Sequence, residues 1–188
     1  MSYDRASAWQ LLCEWTENAN LRKHALAVEA AMRAHARRLA QDEEAWGAVG
    51  LLHDFDYEKN PTVETHVWVG AKFLREHGWP EPWVRAIEGH ASYTGVARDT
   101  EMARCLFAVD ELTGFLTACT LVRPDKTIAS VPVESVLKRM KEKGFARSVN
   151  RDEIRKGADE IGMPLEQHIV FVRDAMAGIA ATLGLPPQ

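Results

Sequence analysis

The sequence predicts an all-α chain, a helical bundle of eight or nine helices, on three observations. Apolar residues recur at three- and four-residue spacing almost throughout, no stretch alternates with period two, and capping residues with Gly and Pro stops punctuate the pattern. The 188 residues suffice for one domain with a large core. The expectation is a single domain over 1–188, with a core over about 18–122 and helices of about 130–184 packed on it.

A first helix is expected over about 5–17. Asn18 or Asn20 caps a second that runs to about residue 40 and carries Leu21, Ala25, Val28, Met32 and Leu39. Asp42, Glu43 and Glu44 suit a helix N-terminus and open a third, over about 42–53, whose end is the apolar Val49-Gly50-Leu51-Leu52. Asp54 to Pro61 reads as an irregular loop. Thr62, with Thr65 three residues on, opens a fourth helix that ends at Gly78. Pro80 and Pro82 open a fifth to about His90, followed by a Ser-Tyr-Thr-Gly loop. A sixth, over about 99–121, is stopped by Pro124. Ser130 caps a short helix of about 131–142 closed by Gly144. Asn150 and Glu153 form a capping box for about 151–161, and Gly162 and Pro164 precede a last helix to about 183.

A hydrophobic share of 46% and a charged share of 27% are ordinary for globular chains, which excludes disordered and fibrous classes. The net charge of -4 comes from scattered charges of both signs, so there is no basic stripe for a phosphate backbone, and no long nucleic acid is expected as partner. Cys13, Cys105 and Cys119 are odd in number and match no zinc spacing, so they read as free thiols of a reducing compartment. No apolar run reaches the roughly 18–20 residues that span a bilayer, and MSYDRASAWQ has no basic-then-apolar pattern of a signal peptide. The expectation is a cytoplasmic protein with no membrane partner, and a homodimer is compatible with it.

His53-Asp54 is the most informative dipeptide, because it sits where an apolar helix meets an irregular loop. Ligands there are held rigidly yet keep coordination positions open. Imidazole with carboxylate suits transition metals better than calcium. Asp110 follows Cys105-Leu106-Phe107-Ala108-Val109 and is turned toward packed surface, where a carboxylate needs a metal or a partner such as Arg104. His24, His66 and His90, taken singly, each read more often as structural than as functional. His35 is eleven residues after His24 and about 16 Å along the same helix axis, so it cannot share a metal with it. His77 and His168 read as a helix-end and a packed histidine.

The ordered set His24, His53-Asp54, His66, His90, Asp110 resembles the HD superfamily of metal-dependent phosphohydrolases. Its HDIG-type bacterial branch is the nearer likeness, through LRKHALAVEAAM, GLLHDFDYEKNP, HVWVGAKFL, GHASYTG and LFAVDELTGF. The resemblance implies a helical core in which His24, His53, Asp54 and Asp110 bind one divalent metal. In members with the two extra histidines, Asp54 bridges to a second ion held by His66 and His90. Mn, Fe, Ni, Co and Zn all accept such donors. At HDFD, Phe55 and Asp56 replace the usual isoleucine and glycine, and the GYP signature of the cyclic-dinucleotide subfamily is missing.

A metal-activated water attacking a phosphoester, that of a small nucleotide or related phosphate, is the chemistry so implied. Asp54 is expected at the reacting centre. Asp56 or Glu58 could orient the water or act as general acid or base, or form a solvated acidic loop. Lys59, Arg22, Lys23 and Arg123 could neutralise phosphate, Lys59 first because it shares that loop. Tyr93 and Thr94 either line the pocket or form a plain turn, and Trp68, Trp79 and Trp83 read as core. A di-iron oxygenase on the same ligands, or a metal-binding regulatory module without catalysis, is the alternative.

Overall fold

Five helices begin on the side-chain caps that local chemistry favours, where an oxygen accepts from backbone N–H groups of the first turn. The computed structural model describes residues 3–186. In it α1 (Arg5–Trp15) starts on Asp4, α2 (Ala19–Arg38) on Asn18, α3 (Glu43–Leu52) on Asp42, α6 (Glu101–Leu121) on Thr100 and α8 (Arg151–Glu160) on Asn150. The others are α4 (Trp68–Glu76), α5 (Glu81–His90), α7 (Val133–Arg139) and α9 (Leu165–Ala177). Two short 3-10 turns, Ser92–Thr94 and Ile128–Ser130, complete the order, and no strand occurs among the described residues. The all-α expectation, with eight or nine helices, is borne out.

Three local expectations are corrected. The fourth helix begins at Trp68, not Thr62: a turn in which His66 N donates to Thr62 O ends at Val67, whose φ of 69° and ψ of -46° break the helix. Ser130 does not cap α7; its hydroxyl donates to Asp125 and Thr127, and Pro132 precedes the helix instead. The capping box at Asn150 is one-sided, because Asn150 N donates to Glu111 on α6 and not to Glu153.

α2, α3 and α6 form the centre, with α1 on α3, α5 and α8 on α6, and α9 across α2 and α6. Val28, Met32, Leu51, Leu52, Leu106, Leu112, Phe115 and Leu116 are all fully buried there. Each such side chain contributes about 1.5–3 kcal/mol by leaving water. Glycine sets two of the close crossings. A Cβ at Gly50 would lie 2.9 Å from Glu29 Cα, and one at Gly157 would lie 2.5 Å from Ala108 Cα. The first crossing presses the end of α3 against the middle of α2, and that juxtaposition places His53 beside His24. No helix among the described residues is long and apolar enough to cross a membrane.

Candidate metal centre

Each imidazole of the predicted set is oriented by its Nδ1. His53, the C-cap of α3, places Nδ1 2.8 Å from Gly50 O, and His90, the last residue of α5, places Nδ1 2.5 Å from Ile87 O. Carbonyls in the last turn of a helix lack an intrahelical partner, so each ring satisfies one by donating Nδ1–H. His66 donates from Nδ1 to Asp56 Oδ1 at 2.9 Å. His24 has Nδ1 3.4 Å from Thr113 Oγ1, whose own hydroxyl donates to Asp110 O. With Nδ1–H so engaged, all four neutral rings present the Nε2 lone pair to the same space.

Two carboxylates enter that space. Asp110 Oδ1 lies 3.0 Å from His24 Nε2 and 3.4 Å from His53 Nε2, and the two Nε2 atoms are 3.2 Å apart. Asp54 Oδ2 lies 3.5 Å from His53 Nε2 and 4.0 Å from His24 Nε2. Its other oxygen, Oδ1, lies 3.2 Å from both His66 Nε2 and His90 Nε2. The donors thus form two groups, His24/His53/Asp54/Asp110 and Asp54/His66/His90, that share one carboxylate.

This geometry fits metal ions. Ligand atoms about 2.1 Å from one ion at angles of about 90–110° stand about 3.0–3.4 Å apart, and most of the contacts above fall in or next to that range. The electrostatics agree. Burial opposes charge on Asp54, yet His53, then His66 and His90, hold its carboxyl well below the usual range. Burial likewise opposes protonation of His53, but Asp54 and Asp110 push it well above the ordinary imidazole value. His66, despite its burial, is raised to about 9 by Asp54 and Asp56. The cluster demands positive charge. Protons on both His24 and His53 would set N–H against N–H at 3.2 Å; a cation between them satisfies both.

The six predicted ligands are therefore brought together, and His35, His77 and His168 stand outside. Arg104 donates to Arg98 O and is no partner of Asp110. Asp56 is 1% exposed, which removes it from any solvated loop, and accepts from His66 Nδ1 and from Gly70 N at 2.9 Å. Its place is behind His66, away from the Nε2 atoms. Glu58 accepts from the backbone N–H groups of Glu17 and Asn18, and Lys59 donates to Glu14 O over the Trp15 ring. Both brace the α1–α2 corner, and neither is brought to the cluster. Arg22 is committed to Thr16 O and Cys13 O, and Arg123 to Asp125. Trp79 is buried, but Trp68 is exposed.

Residues missed in the sequence orient the ligands. Thr113 follows Asp110 by three positions on α6, a spacing that could have flagged it. Gly70 is needed because a Cβ there would lie 2.9 Å from Asp56 Cγ and from Phe55 Cε1. Glu111 accepts from Asn150 N, and burial with Asp110 beside it pushes its carboxyl up to about 7. Tyr57 packs edge-on against the His66 ring, and Tyr93 donates to the backbone carbonyl of His66. The Val67 conformation is rare for a β-branched residue and costs about 1–3 kcal/mol. It sits between His66, aimed at Asp54, and Gly70, bonded to Asp56.

Comparisons with known proteins bear on the family and the fold. A family model of the HD domain matches residues 21–114, a span that contains all six clustered residues. Among curated proteins none matches the chain. The fold is similar to the crystal structure of the HD domain of the L. monocytogenes phosphodiesterase PgpH, with a TM-score of 0.55 at 14% identity, covering 94% of this chain and 97% of that one.

Proposed function

The chain belongs to the HD-domain family, and from that premise and the shared Asp54 we propose that it is a metal-dependent phosphohydrolase acting on a small phosphoester. The observation that carries the reading is the pair of donor groups joined through the two oxygens of Asp54. His24, His53, Asp54 and Asp110 would hold one divalent ion, and Asp54, His66 and His90 a second. Bound there, such ions lower the pKa of a water and neutralise charge on phosphoryl oxygens, which is the requirement of in-line displacement.

The chain's own groups supply orientation. Gly50 O, Ile87 O, Asp56 and Thr113 fix the orientation of the four rings, so that no ligand has to turn before binding, and an arriving cation displaces the protons that Asp54, Asp56 and Asp110 hold on His53 and His66. Asp54, Asp110 and His24 keep about a fifth of their side chains exposed, whereas His53 and His90 are sealed. Substrate therefore approaches from the Asp54–Asp110–His24 side. The similar fold belongs to a phosphodiesterase, which supports a phosphoester as the bond attacked.

The test is metal content of protein purified without chelator, followed by a panel of phosphomonoesters and phosphodiesters with manganese, nickel and iron. One or two ions per chain and turnover of a phosphoester are expected. Protein that stays metal-free after reconstitution would sink the reading. Oxygen consumption by a two-iron form, with no phosphoester turned over, would replace it with oxidation on the same ligands.

A further inference from the structure

Glycine is the poorest helix former after proline, so a glycine inside a helix calls for a reason. At Gly47, Gly50, Gly70, Gly89 and Gly157 the reason is a neighbour that an added Cβ would crowd. Gly114, within α6, is different: nothing lies within 4 Å of a Cβ built there. Space is what it faces. A cleft of about 330 Å³ is lined by Asn20, Lys23, His24, Gly114, Thr117 and, from the C-terminal segment, Leu183 and Leu185 among others. Gly114 follows Asp110 by four residues, on the same face of α6 and about 6 Å further along. His24 belongs both to the cleft wall and to the first donor group.

We propose that this cleft receives the organic part of the substrate, and that Gly114 sets its depth. The inference rests on the phosphohydrolase reading and deepens it. With the phosphate at the donor cluster, the group esterified to it extends past His24 over Gly114. The walls are the leucines and the Thr117 methyl, with Asn20 and Lys23 contributing polar contacts. At the small end of the roughly 300–1,000 Å³ range of ligand pockets, the cleft selects one ring-sized, largely apolar body. A phosphomonoester of that kind fits; a chain of nucleotides does not.

The experiment is calorimetric titration of the manganese-loaded protein with inorganic phosphate and with phenyl phosphate, for the wild type, Gly114→Ala and Gly114→Leu. The wild type is expected to bind phenyl phosphate at least tenfold tighter than inorganic phosphate. In Gly114→Leu that ratio falls to about one while inorganic phosphate affinity and metal content stay unchanged, and Gly114→Ala lies between. Gly114→Ala raises the melting temperature, because its Cβ improves the helix and displaces no neighbour; if the leucine variant melts early, the alanine variant alone decides. An unchanged ratio in the variants, or no preference in the wild type, overturns the subsite. Phenyl phosphate bound with the expected selectivity, but no phosphoester turned over, defeats the hydrolase reading and leaves the subsite standing.

Discussion

Asp56→Asn separates two roles that one acidic residue beside a metal cluster can play. In the structure both oxygens are acceptors, Oδ1 from His66 Nδ1 and Oδ2 from Gly70 N, each at 2.9 Å, in a site 1% exposed. An asparagine offers one oxygen and one NH2 in the same volume. If the oxygen faces His66, the NH2 meets the Gly70 N–H, and a buried donor is left unpaired at about 1–3 kcal/mol. If the NH2 faces His66, the ring must accept at Nδ1, which moves its proton to Nε2 and removes the lone pair aimed at Asp54. A lost orienting partner of a ligand typically costs 10–100-fold in metal affinity, or about 1.4–2.7 kcal/mol. Titration of metal-free protein with manganese, with elemental analysis beside it, should show one tight ion retained and the second weakened by that factor. The same experiment should show a lower unfolding midpoint. Two tight ions with turnover alone lost would refute this and return Asp56 to the reacting centre as general acid or base.

Asp54→Ala should remove both ions, since its two oxygens serve the two donor groups, whereas His90→Ala should leave one; equal loss in both would contradict the sharing. Burial, with His168 and Arg38 nearby, lowers His35 to about 3, and burial also lowers His168. Folded, both stay neutral, while the unfolded chain takes up protons below about 6.5. The contribution of His35 is thus complete above that value and lost as pH falls toward 3, at about 1.4 kcal/mol per pH unit, and that of His168 changes in the same direction. Urea unfolding at pH 7 and pH 5 should show a shallower pH dependence in His35→Leu, with metal content unchanged; an undiminished slope would mean His35 is protonated in the fold.

What the sequence disclosed follows from the range of the interactions. Asn18 and Asn150 were legible as caps, and Asp42 as a helix-opening acid, because the side chain bonds the backbone two or three residues away. The six clustered residues were legible through their order along the chain. The start of α4 was not, since Val67 takes its conformation where His66 and Gly70 both bond Asp56, on the preceding loop. The partners of Glu58 and Lys59 were hidden for a related cause. They share the loop of the ligands, yet a loop has two sides, and the exposed α1–α2 corner offered backbone partners on the other. The departure at Phe55-Asp56 gains a physical account: Phe55 fills the space beside Trp15 and Phe73, and Asp56 backs His66.

The ligands come from segments far apart in the chain, His24 and Asp110 being 86 residues from each other. An ion that joins them closes loops which an unfolded chain would have to close at an entropic cost. It also cancels the mutual repulsion of two carboxylates held close together. Occupancy and folding are therefore linked by mass action, adding about 2.7 kcal/mol at a free metal concentration 100 times the dissociation constant. With an ion bound there, a chelator that removed it would act on the fold as a mild denaturant does, and stability would follow the metal supply around the protein.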